Sequence, residues 1–212
     1  MKQSILIIAM FFLIVQSGKA QTNDLRERVI FGAKAGLNYS NVYDSQGEEF
    51  YANSKIGLAA GIFLAIPISK FIGLQPEVLL SQKGYSSSGS FLGSPYNHTR
   101  TTSYIDLPLF ITLKPGEFIT LLAGPQVSYL FHQKDVFSNG SISYEQEKEI
   151  ENTNFRKNTF GFVAGADINI NHLVIGARAG WDIQKNNGDG TSTNPNYKNV
   201  WYQATIGYRF YK

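Results

Sequence analysis

Four acidic and four basic side chains of this 212-residue chain fall on one face of segments whose polarity alternates. These eight residues, named here the lumen charge network, are Lys34, Glu77, Lys83, Asp106, Asp167, Arg178, Asp182 and Arg209. If that face is enclosed, the charges must be paired or hydrogen bonded, because an isolated buried charge is costly. Asp167 and Arg178 flank Asn171-His172 at nearly matching distances, so we expect them to be neighbours across a turn. The equal count of acids and bases favours a self-neutralising plug over a path for protons or ions.

Nucleophiles and metal ligands form no comparable pattern in the sequence. The three histidines, His98, His132 and His172, share no metal-ligand spacing, and the chain has no cysteine for a thiolate site or a disulfide. Ser128, His132 and Asp182 have the residue types of a lipid hydrolase, but chance alone explains their presence. We therefore predict no catalytic, metal or cofactor-binding residues, and the lumen charge network is the candidate site.

The segments that position these charges have the two-residue period of β-strands. Thr101–Phe131 holds two alternating arms around a Lys114–Glu117 turn, which is typical of a hairpin. The eight predicted strands are Phe31–Asn41, Lys55–Ile68, Phe71–Tyr85, the two arms within Thr101–Phe131, Phe155–Ile170, Leu173–Lys185 and Asn199–Tyr211. Prolines cannot donate a ladder hydrogen bond, so we expect bulges or early strand ends near four of them. These are Pro67, Pro76, Pro108 and Pro125.

The connections between the predicted strands alternate in length along the chain. Long polar loops are predicted at residues 42–53, 86–100, 134–153 and 186–198. Short turns are predicted at Ser69-Lys70, Lys114–Glu117 and Asn171-His172. An even number of strands, with short turns at one end and long loops at the other, is typical of outer-membrane barrels. The sequence therefore predicts an all-β fold, an eight-stranded antiparallel up-and-down transmembrane β-barrel, over residues 31–212.

Glycine and aromatic residues indicate which face meets lipid. Glycines such as Gly36, Gly61, Gly165 and Gly180 lie on the polar face, which suits the cramped interior of an eight-stranded barrel. The same face carries large side chains that should help to fill the interior: Phe63, Tyr104, Phe110 and Trp201. Aromatic residues of the apolar face stand near strand ends, as in membrane girdles. They are Tyr39, Phe71, Phe118, Tyr129, Phe131, Tyr202, Tyr208 and Phe210.

The N-terminus has the features of a secretory signal. Lys2, an uncharged run over Ile5–Val15 and a small-residue site predict cleavage after Ala20, which leaves residues 21–30 as a short periplasmic tail. The apolar run is too short to span a bilayer as a helix. Removing residues 1–20 takes away Lys2 and Lys19 and no acidic residue, so the formal charge falls from +3 to +1. The charge therefore gives no indication of nucleic-acid binding.

Four motifs together resemble those of a known family: FGAKAGLNYSN at Phe31–Asn41, YIDLP at Tyr104–Pro108, LAGP at Leu122–Pro125 and IGYRF at Ile206–Phe210. In their order and spacing the mature chain resembles the PorT-type outer-membrane β-barrel family of Bacteroidetes. The resemblance implies an eight-stranded barrel in the outer membrane of a Gram-negative bacterium, inserted by the barrel-assembly machinery. Tyr211-Lys212, which follows Phe210, departs from the usual aromatic ending of such barrels.

These observations predict a non-enzymatic integral outer-membrane protein with a plugged polar lumen. Its binding or structural role is expected in the four long loops. The expected surroundings are outer-membrane lipid, the assembly machinery during insertion, and an unknown extracellular or secretion partner at the loops, with no nucleic acid. An outer-membrane lipid-modifying enzyme is one alternative. A soluble periplasmic lipid-binding barrel, with the apolar face turned inward, is the other.

Overall fold

The computed structural model describes residues 24–44, 52–91, 94–139, 142–149, 157–186 and 197–211. The predicted signal sequence and a part of each predicted long loop lie outside the described residues. In these ranges, no helix is long and apolar enough to span a membrane.

Nine antiparallel strands make up most of the described chain. They are β1 (Ile30–Asp44), β2 (Asn53–Pro67), β3 (Ile72–Phe91), β4 (Ser94–Leu113), β5 (Ile119–Asn139), β6 (Ile142–Glu149), β7 (Asn158–Ile170), β8 (Leu173–Asp182) and β9 (Tyr197–Phe210). Eight of them form a closed ring in the order β1-β2-β3-β4-β5-β7-β8-β9, and β9 pairs back onto β1. The predicted eight-stranded antiparallel up-and-down barrel is confirmed. Strand β6 pairs with the last part of β5, beyond the ring.

The two ends of the barrel differ in their connections. At one end, called the turn end, lie the β2–β3 turn at residues 68–71, the β4–β5 turn at residues 114–118 and the Asn171-His172 turn. Asn171 has a positive φ of 49°, which suits a two-residue hairpin turn. The start of β1 and the end of β9 also lie at this end, because Phe31 pairs with Phe210. The opposite end is called the extension end.

Alternation along each strand separates an apolar outside from a polar inside. Leu58, for example, is 62% exposed, whereas its neighbour Ala59 is buried. The exposed aliphatic side chains include Leu37, Ile56, Leu58, Leu80, Leu107, Leu109, Ile111, Leu121, Ile168, Ile175 and Ile206. A continuous apolar surface of this kind suits a lipid environment. The faces are therefore arranged in the opposite way to that required by the soluble lipid-binding alternative.

The aromatic residues assigned to girdles do lie on the outer surface. Each is at least 43% exposed: Tyr39, Phe71, Phe118, Tyr129, Phe131, Tyr202, Tyr208 and Phe210. At the turn end Phe210 stacks on Phe31 of the neighbouring strand, with the ring centroids 5.7 Å apart. The rings therefore form part of the outer band and do not pack in a core.

The predicted loops at residues 86–100 and 134–153 are wrong in their described parts. Strands β3 and β4 stay paired out to Phe91↔Ser94, and β6 folds back along β5 from Asn139↔Ile142. Their Ser-, Thr- and Asn-rich composition predicts a loop when each segment is read alone. Each segment instead has an antiparallel partner for its backbone, and Thr and Tyr favour strands. The described residues within 84–100 and 132–149 are called the extension.

The prolines interrupt ladders without shifting the register. Strand β2 ends at Pro67, as expected, but the bulges expected at the other three prolines are wrong. After Pro108 the β4–β5 ladder lacks pairs at residues 109 and 110. The pairs on either side, Pro108↔Gln126 and Ile111↔Ala123, have the same register. The β4–β5 ladder shifts instead at Ser103/Tyr104, where the extension begins. Pairing on both sides holds the strands in place where a proline removes a bond.

Glycines on the inner face make room for large lumen side chains. Trp201 packs inside the barrel in an apolar cluster with Phe110, Leu122 and Val163. A Cβ atom on Gly180, on the adjacent strand β8, would stand 2.3 Å from the Trp201 ring. A larger residue at position 180 would therefore displace the indole from this cluster.

We expect Gly180→Val to lower the free energy of unfolding by about 1–3 kcal/mol, the usual cost of overpacking a filled interior. Ala177→Val is the matched control, because Ala177 lies on the outer face of the same strand. Urea unfolding in detergent micelles, followed by tryptophan fluorescence, measures both variants. Equal stability of the two variants would contradict the packed lumen.

Candidate functional site

The lumen is lined by the inner faces of all eight ring strands, and its polar side chains are almost all buried. Every member of the lumen charge network is at most 8% exposed. The space for these groups again comes from glycine. A Cβ atom on Gly176 would stand 2.6 Å from Asp167 Oδ1 and 3.1 Å from Arg178 Nη1. Every second residue of a strand points inward, and the charged residues occupy such positions. Gly176, which pairs with Asp167, leaves the volume that the Asp167 and Arg178 side chains fill.

Four of the charged residues meet in the half of the lumen nearer the turn end. Arg178 Nη1 donates to Asp167 Oδ1 over 2.6 Å, and Nη2 donates to Asp167 Oδ2 over 3.1 Å. Arg178 Nη2 also lies 3.7 Å from Glu77 Oε1. Glu77 Oε2 accepts a hydrogen bond from Lys34 Nζ over 2.5 Å. Lys34, Glu77, Asp167 and Arg178, called the four-charge cluster, therefore join β1, β3, β7 and β8 across the lumen.

A second ion pair lies between aromatic rings. Lys83 Nζ stands 3.1 Å from Asp106 Oδ2, and both side chains are 1% exposed. The ammonium is also 3.7 Å from the Trp201 ring centroid and 4.9 Å from that of Tyr104. Aromatic faces stabilise a desolvated cation, so Lys83 has both a carboxylate and π partners. The Lys83–Asp106 ion pair is therefore enclosed within the barrel.

The structure does not bring Asp182 and Arg209 together. Asp182 lies toward the extension end, where its Oδ2 accepts a hydrogen bond from Asn199 Nδ2 over 2.6 Å. Among the described residues its Oδ1 has no hydrogen-bond partner. Arg209 lies at the turn end and donates from Nε to the Asn171 carbonyl over 3.0 Å. Six of the eight charged residues therefore form three close acid–base pairs. The other two stand at opposite ends of the lumen, Asp182 toward the extension end and Arg209 at the turn end.

Neutral side chains that were not singled out in the sequence complete the lumen. Gln203 Nε2 donates to Asn38 Oδ1 over 2.9 Å, and Asn38 Nδ2 donates to Ser81 Oγ over 2.9 Å. This chain of amide and hydroxyl groups crosses the interior from β9 through β1 to β3. Their polarity at inward positions of the alternating strands is the sequence signal that identifies them.

A further polar cluster lies in the extension, beyond the apolar belt. Arg100 donates to both carboxylate oxygens of Asp135, over 2.7 and 3.1 Å, and His98 Nε2 lies 3.4 Å from Asp135. Arg100 Nη1 also donates to the Tyr197 hydroxyl over 3.2 Å. Burial raises the pKa of Asp135, but hydrogen bonds from His98 and Arg100 outweigh it and hold this pKa well below its usual range. Sequence reasoning missed the cluster because it placed these residues in separate loops.

The residues considered for hydrolysis have other partners. Ser128 Oγ accepts a hydrogen bond from Gln126 Nε2 over 2.9 Å, and the Asp182 contact is to Asn199. The shift at Ser103/Tyr104 turns Gln133 inward and leaves His132 half-buried. His172 stacks between Tyr208 and Tyr211, with ring centroids 5.1 and 4.2 Å away. In the part of the chain that the structure describes, no three His, Cys, Asp or Glu side chains group as metal ligands.

Comparison with protein families gives a match over most of the chain. Residues 19–185 match the family model of the outer membrane protein beta-barrel domain. The match ends before β9, which the structure nevertheless places in the ring between β8 and β1. No curated protein matches the sequence.

The solved structures that share the fold include the following two. Ail, the attachment invasion locus protein of Yersinia pestis, in complex with the heparin analogue sucrose octasulfate, aligns with a TM-score of 0.50 and 15% identity, covering 86% of this chain and 99% of Ail. Neisserial surface protein A aligns with a TM-score of 0.50 and 13% identity, covering 85% of this chain and 97% of its own. At these identities the likeness shows the fold alone.

We expect Arg178→Ala and Asp106→Ala each to lower the free energy of unfolding by about 3–5 kcal/mol, because each leaves a partner charge buried and unpaired. The control is Lys157→Ala, which removes a charge from an exposed side chain and should change stability by less than about 0.5 kcal/mol. Thermal and urea unfolding in the same detergent provide the measurement. Wild-type stability in both lumen variants would show that water solvates the interior.

Proposed function

We propose that this chain, which belongs to the outer membrane protein beta-barrel domain family, is a closed, non-enzymatic barrel of the PorT type whose partner contacts lie on the extension. The observation that carries the closed lumen is the set of buried ion pairs that spans it. Large side chains and paired charges leave little room for a continuous water path in an eight-stranded barrel. The apolar belt keeps the protein in lipid, and the closed interior makes it a scaffold rather than a channel.

The PorT-type assignment is supported by where its motifs fall in the barrel. The YIDLP motif at Tyr104–Pro108 lies on β4, with Tyr104 and Asp106 turned into the lumen beside Lys83. The LAGP motif at Leu122–Pro125 lies on β5, next to the Pro108↔Gln126 pair. Both motifs thus belong to one hairpin, and both supply lumen side chains, Tyr104 and Asp106 from the first and Leu122 from the second. A motif with this placement serves the barrel interior, so it supports membership without assigning a secretion role.

For the orientation, we place the turn end in the periplasm and the extension outside the cell. Short turns face the periplasm in outer-membrane barrels of known topology. Both chain ends of the described barrel are at the turn end, which agrees with export by an N-terminal signal removed after Ala20. In this orientation the barrel-assembly machinery receives the chain from the periplasmic side, and the extension reaches the medium.

The extension is the surface that fits a partner role. It continues β3, β4 and β5 beyond the apolar belt and adds β6, and Arg100, Asp135 and His98 tie it together near the barrel. Tyr96 stacks on Phe137 with the ring centroids 5.7 Å apart, and Phe137 is 41% exposed. Sheet pairing keeps these rings in a fixed position, so contact with a partner would cost little ordering entropy.

The side-chain partners of Ser128 and Asp182 are the amides of Gln126 and Asn199, so no observation on the described residues favours the lipid-modifying alternative.

Single cysteines test the orientation cleanly, because the wild-type chain has none. Ser88→Cys lies in the extension and Glu117→Cys in the β4–β5 turn, and both parent side chains are exposed. We expect a membrane-impermeant maleimide to label position 88 on intact cells and position 117 after the outer membrane is opened. The reverse labelling pattern would show that the proposed topology is inverted. Recovery of the protein in the soluble periplasmic fraction would show that it is not a membrane protein.

Planar-bilayer recording tests the closed lumen. We expect the folded protein to give no steady conductance, because paired side chains fill the interior. The comparison is Arg178→Ala together with Asp167→Ala, a double variant that removes a pair of opposite charges from the four-charge cluster. A variant that conducts while the wild type stays silent supports the plug. A stable open channel in the wild type would overturn it.

A further inference from the structure

The segment before β1 folds over the turn end of the barrel. A short 3-10 turn at Leu25–Glu27 is fixed at its start by Asp24, whose side chain accepts a hydrogen bond from the Arg26 backbone N–H over 3.0 Å. Asp24 also pairs with Lys70 Nζ of the β2–β3 turn over 3.1 Å. From the β4–β5 turn, Lys114 Nζ donates to the Arg26 carbonyl over 3.4 Å. Two barrel turns thus hold this segment across the mouth.

Beneath the segment lies a cavity of about 30 Å³, called the turn-end cavity. Its lining includes Leu25 and Arg26 from the cover, Lys114 from the β4–β5 turn, and Arg209, Asn169 and Thr120 from the ring strands. A volume of this size holds about two water molecules. A single tetrahedral oxyanion occupies a similar space, whereas a whole nucleotide or sugar does not fit.

Two buried cations of this cavity lack a carboxylate partner among the described residues. Lys114 is 6% exposed and Arg209 is 8% exposed. Each donates instead to a neutral backbone carbonyl, that of Arg26 for Lys114 and that of Asn171 for Arg209. By contrast, the other three bases of the lumen, Lys34, Lys83 and Arg178, each contact a carboxylate. Burying two like charges without a counter-charge is unfavourable.

The acids that line the cavity do not neutralise the two cations. Asp167 is engaged by Arg178 over 2.6 Å. Glu117 is exposed and forms no ion pair within the described ranges. Burial, together with the nearby Arg209, lowers the pKa of Lys114. An anion bound between Lys114 and Arg209 would offset both the cost of burying the Lys114 ammonium and its repulsion by Arg209.

We propose that the turn-end cavity binds one phosphate-type oxyanion between Lys114 and Arg209, either as free phosphate or as the terminal group of a lipid headgroup. The chemistry of the two donors fits this ligand. The Nε and Nη2 of Arg209 donate to the Asn171 carbonyl, and the remaining N–H groups of its guanidinium can contact a phosphate oxygen. The ammonium of Lys114 adds a point charge. Because Lys114 also holds the Arg26 carbonyl, the bound anion strengthens the attachment of the N-terminal segment to the barrel.

The test uses the purified protein folded in non-ionic detergent and inorganic phosphate as the probe. We expect phosphate to raise the midpoint of thermal unfolding, and sodium chloride at matched ionic strength to leave it unchanged. Isothermal titration should give a Kd that rises about tenfold or more in Lys114→Gln and in Arg209→Gln, because each removes a charge-assisted contact. The control is Lys157→Gln, which removes an exposed cation that neither lines the cavity nor holds the N-terminal segment.

The source of the phosphate group is separated by a second arm. Bicelles containing phosphatidic acid, compared with phosphatidylcholine alone, test the headgroup, and competition with inorganic phosphate shows whether both occupy one site. Heat-dependent gel mobility shows whether each variant folds. If Arg209→Gln does not fold, Lys114→Gln still tests the site, because Lys114 lies in a turn outside the ring strands. Absence of binding by both phosphate forms would overturn the proposal. Equal losses in the Lys157→Gln control would also overturn it, by showing diffuse attraction rather than a site.

Discussion

The interior of a ring of eight strands is only wide enough for side chains, and this limit governs most of the structure. Every inward residue must find both its volume and its polar partners within that narrow space. Gly180 stands where the Trp201 ring needs room, and Gly176 stands where the Asp167–Arg178 pair needs it. Lys34 and Lys83 each find a carboxylate partner at 2.5 to 3.1 Å, which offsets part of the cost of burying the charge. The small residues and the ion pairs are therefore two consequences of one constraint.

The same constraint explains how far the sequence could predict the site. Alternation assigns each side chain to a face, so the membership of the lumen follows from the sequence. Asp167 and Arg178 are separated by a two-residue turn, which fixes their register, and the structure brings them to 2.6 Å. Lys34 and Glu77 lie on strands that are not neighbours in the ring, with β2 between them. Their contact depends on the stagger around the barrel, which no local pattern encodes.

The extension and the N-terminal cover were beyond prediction for a related reason. Residues 86–100 have a loop-like composition, and their described parts form strands because each segment meets a partner in the β3–β4 hairpin. Residues 24–29 carry no periodic signal at all, and their position depends on Lys70 and Lys114, which lie in two distant turns. A two-residue period identifies strands that have one apolar and one polar face. It therefore does not predict strands beyond the lumen, or a segment that is held by contacts outside a strand.

The distribution of unpaired charge along the barrel limits where chemistry can occur. In the middle of the lumen, acids and bases neutralise one another, and a ligand that entered there would have to separate a buried ion pair. At the ends the balance is different. Asp182, toward the extension end, keeps one carboxylate oxygen without a partner among the described residues, and Arg209 and Lys114 donate to neutral carbonyls at the turn end. The charges of the middle are therefore neutralised by internal pairing, whereas the charges without a close opposite partner stand toward the two ends, negative toward the extension end and positive at the turn end.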